Sequence, residues 1–247
     1  MNFIVFDLEL NQDFSSAERN GDIPALFEII QLGAVKLDAE LNTTGTFNRF
    51  IKPVFYKRIN PFVTGLTGIT TEQLQFEEEF PEVIRSFIDF VGDTDPVFCV
   101  WGSSDIKELF RNVEKHLLST KQLPRKYINI QPYVSLYFNY SQKNLLSLQH
   151  AVEALKLPTG YSFHNAFNDA FYTAEIFKKI YNSFILPKVY DPSSPAVRSR
   201  QPRKEIDTDG LINQFEKMYQ RMMSEEEKSI ILLAYKMGKT HQFLREK

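Results

Sequence analysis

Apolar and polar positions along this chain follow two periods, and the period changes where the elements change. NFIVFDLEL is an almost continuous apolar run broken by two acids, and Phe3–Leu10 reads as a buried strand. The polar stretch Asn11–Phe27 reads as a long loop. EIIQLGAVKLD, Glu28–Asp38, reads as a second strand, and GTFNRFIKP, Gly45–Pro53, as a third, joined by the short turn AELNTT. Three strands with short turns predict an antiparallel meander. The helical period then takes over. Thr70 and Gln73 form a capping box that opens a short helix. In FPEVIRSFIDFVG, Val83, Ile84, Phe87, Phe90 and Val91 make one apolar stripe, Pro81 suits a first turn, and Gly92 ends the helix.

DPVFCVWG predicts a fourth strand, SSDIKELFRNVEKHLL a helix, and YINIQPYVSLYF a fifth strand running into a short helix. NLLSLQHAVEALKL predicts an amphipathic helix stopped by Pro158 and Gly160, and HNAFNDAFYTAEIFKKIYNSF a long helix. Three strands followed by alternating helices and strands indicate an α/β fold with a mixed sheet and flanking helices. The character shifts near Lys188, where prolines and small polar residues surround Arg198, Arg200, Arg203 and Lys204 and read as a linker. Two amphipathic helices follow. Leu211, Ile212, Phe215, Met218, Tyr219 and Met222 lie at helical spacing, Ser224 and Glu227 form a second capping box, and Gly238 stands where a C-cap belongs. The expected organisation is a domain over 1–187, a linker over 188–210 and a C-terminal helical extension over 211–247.

Composition narrows the class. With 247 residues, 43% hydrophobic and 14% aromatic, the chain is globular, and its 22 Phe residues predict a core built on aromatic packing. A formal net charge of −2 gives no overall basic field for tight non-specific duplex binding. The single cysteine, Cys99, excludes an internal disulfide and a thiolate zinc cluster, and its apolar setting marks it as a core residue. No apolar run is long enough to span a membrane. The N-terminus lacks a basic segment ahead of its apolar run, so no signal peptide and a cytoplasmic location are expected.

The chemistry lies in the acids. Residues two apart on a strand share a face about 6.5–7 Å apart, so Asp7 and Glu9 project together from an apolar strand. Converging carboxylates repel unless protonated or held by a cation. Taken alone, such a pair also fits a strand with one wet face. Asp105 follows the strand VFCVWG at the mouth of a helix, where α/β folds build sites, although a first-turn acid there also suits the helix dipole. Asp169 sits in a late helix. His164 precedes it by five residues, which on a continuous helix separates the two by about 140°. If Asn165 caps the helix instead, His164 stands on the preceding loop and can turn towards Asp169. His116, His150 and His241 read as helix-surface or packing residues.

FDLEL, WGSSDIKEL and HNAFNDA together resemble the DnaQ-like exonucleases of the DEDDh subgroup. EIIQLGAVKLD and TGLTGIT resemble that family's second strand and its G-I-T segment, and the resemblance covers about Met1–Leu186. It implies an RNase H-like fold and two divalent ions, Mg2+ or Mn2+, held by Asp7, Glu9, Asp105 and Asp169. It implies His164 as general base, suited because an imidazole titrates near about 6.5. The implied reaction is 3′–5′ hydrolysis of single-stranded nucleic acid, RNA or DNA, with release of nucleoside 5′-monophosphates. Leu10 departs from the family, where a small residue often follows the Glu. Leu8, Leu10, Leu66 and Ile69 are the candidates for packing the terminal nucleotide, and the Arg198–Lys204 cluster for tracking phosphates if it is not simply a solvated linker. A catalytically inactive binding or adaptor module is the alternative, and the C-terminal helices are expected to serve a protein partner or self-association.

Overall fold

Residue by residue, β1 (Phe3–Asn11) alternates between two buried environments, and that alternation organises the domain. The computed structural model describes residues 2–12, 27–140, 145–192 and 207–239. β1 pairs antiparallel with β2 (Glu28–Leu37), and β2 pairs antiparallel with β3 (Thr43–Phe50), the meander expected from the turns. Three helices follow, α1 (Pro61–Thr67), α2 (Thr71–Leu74) and α3 (Phe80–Val91). β4 (Val97–Val100) returns parallel to β1 and leads into α4 (Ser104–Lys115). β5 (Lys126–Asn129) lies parallel to β4, and α5 (Gln131–Tyr137), α6 (Leu148–Ala154) and α7 (Ala166–Ile180) come next. β6 (Lys188–Val189) closes the edge antiparallel to β5. Among the described residues the sheet has six strands in the order β3-β2-β1-β4-β5-β6.

Ile4, Phe6 and Leu8 of β1 face one way and pack with Val83, Phe87, Ile106 and Phe110 from α3 and α4. Phe3 and Val5 face the other way and pack with Val152, Tyr172 and Phe177 from α6 and α7. This is a mixed sheet sandwiched by helices, an α/β fold of RNase H-like form. Asp7 and Glu9 continue the odd-numbered set, so the strand's period of two sends them towards the α7 side. Aromatic rings fill the opposite layer: Phe87 meets Phe6 edge-on, Phe47 edge-on and Phe98 face-on, with centroids 5.4–6.1 Å apart. Cys99 is buried in the core, and burial pushes its thiol well up, as befits an inert residue.

Several element boundaries differ from the sequence expectation. α1 had not been expected, yet Asn60 caps it through the Phe62 N–H, Pro61 opens it, and Gly68 ends it in the left-handed region at φ 75°. β3 ends at Phe50 rather than Pro53, and α6 is only seven residues long, begun by Ser147. β6 lies inside the stretch read as linker. The chain divides into two compact units, Met1–Ser194 and Pro195–Lys247. Within the second, α8 (Thr208–Tyr219) begins three residues before the expected Leu211, because the Asp207 carboxylate accepts the Gly210 N–H at 2.7 Å. The Ser224–Glu227 capping box forms as expected and opens α9 (Glu225–Lys239). Gly238 is not its C-cap, since the helix runs on to Lys239. Nearly all of the Asn11–Phe27 loop, the Arg198–Lys204 cluster and His241 lie outside the described residues. No helix among the described residues is long and apolar enough to cross a membrane.

The aromatic layer yields a stability prediction. Phe87→Ala removes a fully buried ring with four ring neighbours, Phe6, Phe47, Phe90 and Phe98, and is expected to cost about 3–5 kcal/mol in urea denaturation. A loss below about 1 kcal/mol would show that the layer collapses around the gap.

Candidate active site

The carboxyl ends of β1 and β4 lie side by side because the two strands are parallel neighbours. The first brings Asp7 and Glu9, and the second delivers Asp105 in the first turn of α4. Asp169 arrives from the first turn of α7. One carboxylate oxygen each from Asp7, Glu9 and Asp169 lie within 4.8 Å of one another. Asp105 stands outside that triad but close enough for its charge to act on Asp7 and Glu9. The four acids singled out in the sequence therefore gather at one place.

The mouth of α7 explains how Asp169 reaches the sheet. Asn165 caps the helix, its Oδ1 accepting the Phe167 and Asn168 N–H groups at 3.2 and 3.3 Å. His164 therefore sits on the preceding loop, as the cap required. Its backbone is left-handed, at φ 61°, and its N–H donates to Asp169 Oδ2 at 3.1 Å. A non-glycine residue in that region carries strain and is held there by its surroundings. The His164 side chain is exposed, and its charge works against the upward shift of the Asp169 carboxyl.

Two residues of β2 that had not been counted as functional set this geometry. Gly33 pairs with Asp7 across the sheet, and a methyl group on it would overlap the backbone of Ala166 and Phe167. Gln31 pairs with Glu9, accepts the Ala166 N–H at 3.2 Å and donates to Asn48 Oδ1 at 3.0 Å. Glycine lets the helix start touch the strand, and glutamine pins it there. The signals were in EIIQLGAVKL: an interior strand glycine often marks a close backbone approach, and a buried amide needs partners. Glu108, one turn after Asp105, was also overlooked. It pairs with Arg111 at 2.8 Å, leaves Oε2 buried without a partner, and its charge helps raise Asp105.

The four carboxyls share an electrostatic problem. Burial raises each of them first; repulsion from neighbouring acids adds to it at Asp7, Glu9 and Asp105, whereas the His164 N–H and charge oppose it at Asp169. Asp7 is held well above the usual carboxylate range by burial, then by Asp105, Asp169 and Glu9. Burial, then Asp169 and Asp105, push Glu9 up to about 8. Asp105 is raised to about 7 and Asp169 to about 6, burial again leading in both. Asp169 Oδ1 is buried with no hydrogen-bond donor. A hard divalent cation fits this donor set: oxygen ligands in excess of protein counter-charge, and one oxygen still lacking a partner.

The candidates for nucleotide packing are split. Leu8 is 6% exposed and Ile69 3%, both packed into the hydrophobic core. They offer little face to a base, because alternate β1 residues point into the sheet layer and Ile69 closes the small core beneath α1. Leu10 is half-buried against the core, and Leu66 is 45% exposed.

Two measurements test the site. Folded carboxyls raised to about 6, 7 and 8 bind protons that the unfolded chain releases near pH 4. Their contribution to stability is therefore complete in acid and lost as pH rises through that range. In EDTA the Tm is expected to fall between pH 5.5 and 8.5, and added Mn2+ to restore it most at the alkaline end; a metal-free Tm that rises across this window would contradict the cluster. Gly33→Ala is expected to cost about 1–3 kcal/mol by overpacking and to abolish the Mn2+-induced rise in Tm. A full metal response in G33A would show that α7 does not need its close seat.

Comparison with known proteins agrees with this geometry. The exonuclease family represented by RNase T matches residues 4–177. The 3′-5′ exoribonuclease 1 of Rattus norvegicus is 31% identical over 130 residues, covering 48% of this chain and 37% of that protein. The chain thus matches little more than a third of that relative's length. The DNA polymerase III subunit epsilon of Aquifex aeolicus is 30% identical over 161 residues, covering 62% of this chain and 71% of that protein. Among solved structures, the nuclease domain of 3′hExo, a DEDDh family member bound to rAMP, superposes with a TM-score of 0.64 at 21% identity, covering 77% of this chain and 96% of that one. The matched span contains all four carboxylates and His164, and the chain belongs to the RNase T exonuclease family, within the DnaQ-like group of RNase H-like fold.

Proposed function

We infer that this chain is a metal-dependent 3′–5′ exonuclease that removes nucleoside 5′-monophosphates from the 3′ end of single-stranded nucleic acid. The observation that carries the reading is the convergence of Asp7, Glu9 and Asp169 within 4.8 Å, beside Asp105, in a setting that raises all four carboxyls. Such a cluster is unfavourable by itself and becomes favourable around positive charge. The exoribonuclease relative supports the 3′–5′ polarity of attack, and the DNA polymerase relative beside it leaves either sugar open.

Asp7, Glu9, Asp105 and Asp169 would hold two Mg2+ or Mn2+ ions. When bound, these ions acidify an attacking water and stabilise the charge that develops on the leaving 3′ oxygen. His164 takes the proton of that water on an imidazole nitrogen as the oxygen attacks phosphorus. The P–O3′ bond breaks, a 5′-monophosphate leaves, and the shortened strand keeps a 3′ hydroxyl after protonation from solvent. Asp169 serves twice. One oxygen accepts the His164 backbone N–H, and the other, with no donor, is free for a cation. A loop that places the base by its own main chain limits how far the imidazole can drift from the acids.

A 5′-labelled single strand, as RNA and as DNA, is expected to give a ladder shortening from the 3′ end with Mg2+ or Mn2+ and none with EDTA. Asp7→Asn is expected to lower kcat by about 10³-fold, to lose the Mn2+-induced rise in Tm, and to keep or raise the Tm in EDTA because a buried repulsion is gone. His164→Ala is expected to lower kcat by about 10²–10⁴-fold while keeping the metal response in Tm. Retained turnover in D7N would remove the carboxylate assignment, and parental kcat in H164A would remove the general base.

A further inference from the structure

In the second compact unit, α8 and α9 form a hairpin whose turn is fixed by polar contacts and whose apolar surface is left over. Glu216 Oε1 accepts the Met223 N–H at 2.9 Å, Arg221 pairs with Glu227, and the Glu227 carboxylate also accepts the Ser224 N–H at 2.9 Å. These bonds hold the helices in one arrangement, but packing between them is incomplete. Ile212 and Met223 are the only buried apolar side chains among the described residues of the unit. Phe215 and Tyr219 of α8 and Ile230 and Ile231 of α9 line a cavity of about 250 Å³. Native interiors leave few voids larger than a water molecule, so the seam of this hairpin is open to side chains from outside.

The remaining apolar residues point outward. Met218, Met222, Ile230 and Leu233 are each 58–76% exposed. On α9, Ile230, Leu233, Ala234 and Met237 recur at three- and four-residue spacing, the stripe of a helix that packs against another helix. Contiguous apolar patches of this kind mark interaction surfaces, and two short helices bury too little to stand alone. With Tyr219, the four exposed side chains offer on the order of 500 Å² per copy, at roughly 100 Å² each. That is one partner's share of the roughly 1,000 Å² a specific interface needs.

Charge selects the occupant. Residues 207–239 hold six acidic and five basic residues, so the unit presents no cationic excess to a membrane surface or to nucleic acid. A second copy of the same unit meets no strong net repulsion. α9 is polarised along its length: Glu225, Glu226 and Glu227 occupy its first turn, and Lys236 and Lys239 its last. Glu225 pairs with Lys228 and Glu227 with Arg221, whereas Glu226 has no ion pair among the described residues. Laid parallel, two copies of α9 would set like turns together. Laid antiparallel, they set each acidic turn beside the other copy's basic turn, and Leu233 and Ala234 near the middle of the helix meet across the axis.

We propose that α8 and α9 form a homodimerisation unit, in which two copies of this chain pair about a two-fold axis near Leu233 with their α9 helices antiparallel. Such a contact is isologous, so one patch supplies both the projecting Met218, Met222 and Leu233 and the open seam that receives them. The pairing joins two nuclease domains and does not depend on the chemistry at the acid cluster.

Sedimentation equilibrium of the full chain from about 1 to about 50 μM is expected to fit a monomer–dimer equilibrium. Leu233→Gln with Met222→Gln is expected to raise the dimer Kd by about tenfold or more and to leave the far-ultraviolet circular dichroism unchanged. Cross-linking reads the arrangement. Cys99 is buried, so an introduced thiol reacts alone. Leu233→Cys is expected to give a disulfide-linked dimer with oxidised glutathione. Glu226→Cys is expected to give none, since seven residues of helix from the axis on each copy hold the two thiols about 21 Å apart, far beyond disulfide reach. The mass of one chain across the whole range would overturn the proposal, whether the face is covered by the nuclease unit of the same chain or by a foreign protein. A Kd within about twofold of the parent in the double variant would overturn it by placing the interface elsewhere. Equal cross-linking of the two cysteine variants would overturn the antiparallel arrangement.

Discussion

Four carboxyl groups drawn together in a largely buried place repel one another, and the arrangement of the nuclease domain follows from holding them there. Burial raises each carboxyl, and neighbouring acids add to the effect at Asp7, Glu9 and Asp105, so Glu9 reaches about 8 and Asp105 about 7. The cost is met by rigidity elsewhere. β1 is central in the sheet, with the aromatic layer of Phe6, Phe87 and Phe98 on one side and Phe3 and Phe177 on the other. A strand clamped on both faces cannot relax its acids apart, and packed interiors resist such movement.

The fourth carboxylate, Asp169, arrives through backbone contact rather than side-chain reach. Gly33 removes the one Cβ that would keep α7 from β2, and Gln31 supplies a hydrogen bond that fixes the first turn of the helix. The left-handed His164 then aims its N–H at Asp169. A single helix start thereby carries two roles, a ligand from its first turn and a base from the loop before it. The separation of the two in sequence had argued against a shared site only if the helix continued through both.

On the other flank, the same logic uses different chemistry. Glu28 is a carboxylate held by main-chain donors instead of a cation, and it stiffens a loop instead of binding an ion. Its neighbour in register, Asn11, completes the clasp. The domain thus holds two kinds of buried polar group: an acid left short of a partner at Asp169 Oδ1, and polar side chains fully committed to the backbone at Glu28 and Asn11. Unmet capacity marks the reactive place, and satisfied capacity marks the scaffold.

The meander, the α3 stripe, the Asn165 cap and the order of the acids were legible in the chain, because period, capping and residue type are local properties. So was the family, carried by FDLEL, WGSSDIKEL and HNAFNDA. Short elements were not. α1 lasts seven residues, too few to show a period, and was betrayed only by Asn60 before it, Pro61 at its start and Gly68 after it. Gly238 has the residue type of a cap but lies within a helix, since a glycine is only permitted, not compelled, to end one. The role of Leu8 and Ile69 turned on burial, which depends on what packs across from them. Gly33 showed an unusual residue in a strand without showing what approached it. The sequence by itself determined which groups carry the charge and which stretches form strands and helices. Only the tertiary structure decided that Asp7, Glu9 and Asp169 meet, because their distance is set by the pairing of β1 with β2 and the seating of α7 on Gly33, contacts between residues far apart in the chain.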